Sequence, residues 1–408
     1  MDPANGSRLP AIRLCGGYVG AYLDKDYLVW ISNVYCIPVI ALVGIICNLL
    51  NAVILCHKKA RLMPSSLYLQ ILALCDCSFL VFGVFEVTPP TLDVLLVEPK
   101  FNRFYTGVIL YVRMFSSTCY KASVVLVMAF NIERYFCVCH PLMAYRYCNR
   151  RIARLVVAGI IGSSLLFSLQ YPLCYEQTSC FNLLSNSTYY LIQMRHSVFV
   201  QMYYRISDYV SMILYNLVPI TLLGLLNGFL IKTLHRVMRR DQQNQPINSN
   251  SSSKQSERNP RRGSSLRRHA AAWNANAMLA AVVVMFVVCL GPQIPGRILA
   301  EIYGRDDKLV IAFIAVSQQL IFLNASLNFC LYCLVSRKYR VLLRKTAKQF
   351  LSFLNGQPRP VQKWAPRKDP SVNGELIEAK RLMGLLEERV ESPKKVAVFQ
   401  IGSPTCSL

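Results

Sequence analysis

Apolar residues along the 408-residue chain gather into seven long runs parted by polar, basic segments. Each run approaches the ~20 residues that an α-helix needs to cross the hydrocarbon layer of a membrane. The runs extend from Val29 to Cys56, Ser65 to Pro90, Phe104 to Val138, Ile152 to Pro172, Asp208 to Arg236, Ala271 to Ala300 and Leu309 to Val335. They predict an all-α membrane protein, a seven-transmembrane helix bundle over residues 29–336, preceded by a tail at 1–28. Residues 337–351 interleave basic side chains with Tyr339, Val341, Leu342, Leu343 and Phe350, which predicts a short amphipathic helix against anionic membrane lipid. The stretch at about 241–265 is rich in Gln, Asn, Ser and Arg and predicts a disordered loop, and 352–408 a polar tail. Pro38, Pro172, Pro219, Pro292 and Pro295 fall inside the runs and predict kinks, since neighbouring helices can re-satisfy the freed carbonyls.

Composition agrees: 54% of residues are hydrophobic and only 16% charged. A net charge of +24 would suggest nucleic acid in a soluble protein. Here Lys58, Lys59, Arg146, Arg150, Arg151, Arg236, Arg239, Arg240 and Arg337 cluster between or after alternate runs, on one side of a membrane. That asymmetry argues against a nucleic-acid partner and assigns the first, third and fifth loops and the C-terminus to the cytoplasm. The sequons at Asn5 and Asn186 then fall outside, where glycosylation can occur. Of the sixteen cysteines, Cys15, Cys174 and Cys180 lie in segments placed clearly outside the cell, and their pairing is open. No basic segment followed by an apolar run precedes the first span, so a cleaved signal peptide is not expected.

Polar groups are costly in hydrocarbon and therefore mark function by default. Asn48, Asp76, Ser123, Asn324 and Asn328 all fall at mid-depth of their runs. A ring of amide and hydroxyl oxygens around Asp76 could hold sodium, with Asp76, Ser123, Asn324 and Asn328 as ligands, or form a hydrogen-bonded network without an ion. No other cofactor is expected. The five histidines, His57, His140, His196, His235 and His269, sit in loops or at run ends, and no repeat relates the two halves. An enzyme and a transporter are both disfavoured.

Glu133-Arg134-Tyr135 ends the third run, and Leu72 to Asp76, Pro219, Phe286-x-x-Cys289-x-x-Pro292 and Asn328-Phe329-Cys330-Leu331-Tyr332 follow at matching places. Jointly these motifs resemble the rhodopsin-like G-protein-coupled receptors over about residues 29–351. The resemblance implies coupling to a heterotrimeric G protein through Glu133, Arg134 and Tyr135. It implies an activation switch of Val124, Pro219, Phe286, Pro292, Asn328 and Tyr332, with arrestin and receptor kinases as further partners. The chain also departs from the pattern. Leu290 replaces the sixth-span tryptophan, Phe329 the seventh-span proline, and Ile109 the third-span disulfide cysteine.

Ser116 stands where amine receptors carry aspartate, and Phe322 where opsins carry their lysine. The run from Glu133 to Leu142, with Tyr171-Pro172 and Pro219 followed by Asn227, is similar to invertebrate FMRFamide-type neuropeptide receptors. That likeness implies an extracellular amidated peptide ending in Arg-Phe, whose guanidinium needs an acid and whose ring needs aromatic walls. A non-peptide ligand stays open. The candidate binding residues are Glu86, Tyr111, Ser116, Glu176, Asp208, Glu301 and Gln318, with Glu86 and Asp208 foremost. Arg261-Arg262-Gly263-Ser264 offers a basophilic kinase pattern, making Ser264 and Ser265 candidate phosphorylation sites.

Overall fold

The computed structural model describes residues 27–56, 66–92, 95, 98–182, 186–243, 281–304, 307–335 and 344. The tail with Asn5 and Cys15, the loop with Ser264 and Ser265, the interfacial helix apart from 344, and residues 352–408 lie outside that set.

Seven helices are long and apolar enough to cross a membrane: Tyr27–Leu55, Ser66–Thr91, Pro99–Cys137, Arg150–Cys174, Val198–Thr233, Ala281–Ile302 and Lys308–Asn328. They are numbered below as the first to the seventh span. Large apolar side chains such as Leu42, Leu74, Leu155 and Leu225 stand more than half exposed on the outside of the bundle. Lipid, not water, suits such a surface, and the chain is a multi-pass membrane protein.

The third span is the most enclosed. Its Ala122, Val124, Leu126, Val127 and Phe130 pack with Tyr68 and Leu72 of the second span, Val157 and Ile160 of the fourth, Leu223 of the fifth and Phe286 and Leu290 of the sixth. A second cluster joins Ile37 and Ala41 of the first span to Phe79 and Leu80 of the second and Phe322 and Ala325 of the seventh. Small residues allow that approach, because a Cβ on Gly44 would strike Ser326 and Leu80, and one on Gly83 would strike Phe322.

Several prolines disturb the helices as expected. Pro219 has no N–H to give, and just before it the fifth span loosens into a π-turn at Ser-free residues Ile213–Leu217, closed by the Val218 N–H on the Ile213 carbonyl. A second π-turn, Ser32–Cys36, precedes Pro38 in the same way. The fourth span breaks at Leu169, three residues before Pro172, and the sixth turns at Gly291 and Pro292 before resuming as Gln293–Ile302.

The helices also differ from the apolar runs. The fifth span starts at Val198, not Asp208, because Gln201 and Arg205 dilute the hydrophobicity of a helix that runs past the lipid. Asp208 is thus ten residues, about 15 Å, inside its helix. The third span starts at Pro99, whose fixed φ suits the first helical turn.

The apolar runs predict no strand, yet an antiparallel hairpin joins the fourth and fifth spans: β1, Tyr175–Asn182, pairs with β2, Ser187–Met194. Aromatic and β-branched residues favour this form, and Asn186 takes the positive φ of 48° that its turn requires. Asn102 of the third span grips β2 with both ends of its amide. Its Oδ1 accepts the Tyr190 N–H at 2.7 Å and its Nδ2 donates to the Tyr190 carbonyl at 3.1 Å. Gln177 of β1 adds a bond to Thr106 at 2.9 Å. Ile109 packs instead with Leu95 and Tyr105. Cys180 is disulfide-bonded while Cys174 keeps a buried free thiol, so these two are not paired with each other.

Candidate functional site

A cavity of about 830 Å³, open mouth included, lies between the second, third, fourth, fifth, sixth and seventh spans. Glu86, Ser116, Asp208 and Gln318 line it, as the sequence suggests. Glu301 lines an adjoining cavity of about 1320 Å³ that shares Tyr171, Asp208, Gln293 and Arg297 with the first.

Two expected residues stand elsewhere. Tyr111 is 56% exposed and does not line either cavity, because its turn of the third helix faces outward. Glu176 sits on β1 with Arg195 at 3.7 Å, a half-exposed pair on the hairpin, which the run-based topology did not anticipate as a strand.

Three basic residues in the cavity escape a reading based on Asp76 alone. Arg113 donates from Nε to Glu86 Oε1 at 2.7 Å, and Arg297 donates from Nη1 to Asp208 Oδ2. Both foremost acids are therefore already held by an arginine, tying the second span to the third and the fifth to the sixth. The third is Lys121, 4% exposed, whose Nζ donates to the Phe167 carbonyl at 3.3 Å and the Ser168 hydroxyl at 3.2 Å. These acceptors stand at the irregular turn before Pro172. The signal was present in the sequence: a lysine and an arginine inside the third apolar run are as costly as Asp76 and imply as much.

Deeper in the bundle, Asp76 is fully buried. Ser123 Oγ donates to its Oδ1 at 2.5 Å and Asn328 Nδ2 to its Oδ2 at 2.7 Å. The side-chain oxygens of Asn324 and Asn48 are buried without a hydrogen-bond partner, while Asn48 Nδ2 bonds the Ala325 and Gly44 carbonyls. A carboxylate, a hydroxyl and orphan amide oxygens are a donor set that a hard cation accepts.

Val124 and Phe286 meet in the main core with Leu290, and Pro219 is buried one residue from Ile220, which packs on the same cluster. Of the expected switch residues, Val124 and Phe286 thus share one packing unit, while Asn328 instead bonds Asp76. Tyr332 is on the last helix, its side chain outside the described residues. At the end of the bundle remote from the hairpin, Arg134 lays its guanidinium over the Phe130 ring at 4.4 Å, Glu133 is buried, and Tyr135 packs edge-on to His140.

Comparison with known proteins agrees with this arrangement. The chain is 24% identical over 339 residues to neuromedin-U receptor 2 of Homo sapiens, covering 81% of this chain and 74% of that receptor. It is 24% identical over 389 residues to the thyrotropin-releasing hormone receptor of Bos taurus, covering 89% and 86%. It is 23% identical over 337 residues to the FMRFamide receptor of Drosophila melanogaster, covering 80% of this chain and 56% of that receptor. The model of the 7 transmembrane receptor (rhodopsin family) matches residues 47–332, and the chain belongs to that family, as a signalling receptor and not an enzyme.

Proposed function

We propose that this receptor lies in the plasma membrane with its hairpin end outside, binds an extracellular peptide in the paired cavities, and activates a heterotrimeric G protein through Glu133, Arg134 and Tyr135. The observation that carries this is the pair of adjoining cavities, which share Tyr171, Asp208, Gln293 and Arg297 and are lined by ionic and amide groups that a peptide's backbone and side chains can meet. Relatives named for neuromedin U, thyrotropin-releasing hormone and FMRFamide support a peptide ligand. An amidated Arg-Phe peptide is the second reading, supported by the FMRFamide receptor, and its guanidinium would have to draw Glu86 from Arg113 or Asp208 from Arg297.

The same reading puts a sodium ion with Asp76, Ser123, Asn324 and Asn328, glycans on Asn5 and on Asn186, which is exposed in the hairpin turn, and regulatory phosphate on Ser264 or Ser265. Arrestin, receptor kinases and anionic lipid at 337–351 are its further partners.

The test is guanine-nucleotide exchange in membranes containing the full chain, driven by peptide agonist. Arg134→Ala at matched surface expression should abolish exchange while leaving peptide binding within a few fold. Undiminished exchange would remove Arg134 from the coupling role.

A further inference from the structure

The charges that line the cavity do not balance. Glu86 is taken by Arg113 and Asp208 by Arg297. Lys121 faces the same cavity with only neutral acceptors, and among the described residues no carboxylate lies within ion-pairing distance of its Nζ. The Tyr215 ring lies 5.8 Å from Nζ to centroid, and Asp208, already engaged by Arg297, acts on the ammonium only from beyond contact. An ammonium group that is 4% exposed and has no carboxylate in contact is costly to hold, and an anion entering the cavity would relieve that cost. Each arginine moreover keeps N–H groups beyond the one it spends on its acid.

A second group points the same way. Gln170, 1% exposed and also lining the cavity, has a side-chain oxygen with no hydrogen-bond partner. The cavity lining thus offers a cation seeking an anion and an acceptor seeking an N–H. The last residue of a peptide with a free C-terminus carries both, a carboxylate and its own amide N–H.

We infer that the receptor's peptide ligand places a free carboxylate, its C-terminal one, beside Lys121 and donates its last N–H to Gln170. The inference rests on the peptide reading above and narrows it, against an amidated ligand. An acidic lipid would share the anion, but Ser116, Ser117, Asn216, Gln293 and Gln318 offer hydrogen bonds that a peptide backbone can use and a hydrocarbon chain cannot, and the lipid arm of the experiment separates the two.

The experiment uses cells expressing the full chain, with G-protein dissociation as readout. They are challenged with two matched libraries of acetylated peptides that differ only in ending as carboxylate or carboxamide, and with a panel of fatty acids and lysophosphatidic acids. Agonists should come from the carboxylate library, and each carboxamide twin should be about 10- to 100-fold weaker, the range for losing a hydrogen bond to a charged group. At matched surface expression, Lys121→Gln should weaken the acid agonists by a similar factor without changing their carboxamide twins, and Lys121→Arg should restore most of the loss. Should Lys121→Gln not reach the surface, the acid-to-amide ratio on the unmodified receptor decides. Carboxamides as potent as their acids, or acid agonists indifferent to Lys121→Gln, would overturn the carboxylate site and leave the peptide reading intact. Response to the lipids alone, or to no arm at all, would overturn the peptide reading and the inference with it.

Discussion

Two layers of the bundle handle buried charge in opposite ways. In the cavity layer Glu86 and Asp208 each meet an arginine from a neighbouring span, at side chains a quarter to two-fifths exposed. At mid-depth Asp76, with no exposure at all, meets only neutral donors, Ser123 and Asn328. Where water reaches, the chain supplies its own counter-ions and the pairs act as ties between helices. Where water does not, supplying a second charge would add another desolvation cost, and hydrogen bonds take its place. Lys121 is the exception that informs both layers: it is nearly as enclosed as Asp76 yet opens onto the cavity, and it too has only neutral partners.

The difference can be broken most forcefully at mid-depth. Asp76→Leu would strand the Ser123 hydroxyl and the Asn328 amide, each costing about 1–3 kcal/mol, so a loss of about 2–6 kcal/mol is expected. Thermal unfolding of the detergent-solubilised receptor reads this. A loss no larger than that of Asp76→Asn would show that the two donors find other acceptors.

The cavity layer should yield less to a single substitution. Removing one partner of a buried pair costs about 3–5 kcal/mol, and the partial exposure of Arg297 and Asp208 reduces this to about 1–3 kcal/mol for Asp208→Ala. The exchange Asp208→Arg with Arg297→Asp should recover most of that loss, as a tie between helices would. Single and double variants equal in stability would instead make the pair a feature of ligand recognition alone.

The smallest effect concerns sodium. If the ion prefers the inactive state, it lowers agonist affinity by that preference, and agonist expels it in turn. With Leu290 in place of an indole above the pocket, a coupling near 5-fold, about 1 kcal/mol, is expected. Agonist competition in sodium against equimolar N-methyl-glucamine measures it. A sodium effect that survives in Asp76→Asn would place the ion elsewhere.

Much of this architecture is legible in the chain. Seven apolar runs match seven helices because hydrocarbon leaves the backbone no alternative to internal hydrogen bonding. Asp76, Ser123 and Asn328 are legible for a related reason, since three costly polar groups at equal depth gain by meeting. The cavity is less so. The salt bridges depend on which way Arg113 and Arg297 point around their helices, which composition does not state. Asp208 was placed at a run end because its helix continues through polar residues that no hydropathy pattern extends. The hairpin was hidden for the opposite reason. Its strands lack the long apolar run that marks a span, and they are tied to the third helix through Asn102 and Thr106, long-range bonds with no local signature.

The π-turn at Ile213–Leu217 separates the fifth span into two helical segments with independent rotational phase. One residue advances an α-helix by about 100°, and the turn absorbs one surplus residue because Val218 bonds Ile213 where an ordinary helix would bond one residue sooner. Deleting a single residue within the turn would close it as ordinary helix with Asp208 still toward Arg297. Inserting one in ordinary helix between Val218 and Leu223 would have no such outlet and would swing Asp208 by about 100° relative to Leu223 and Asn227. The turn is therefore the place where this span can shorten by one residue without turning its outer segment away.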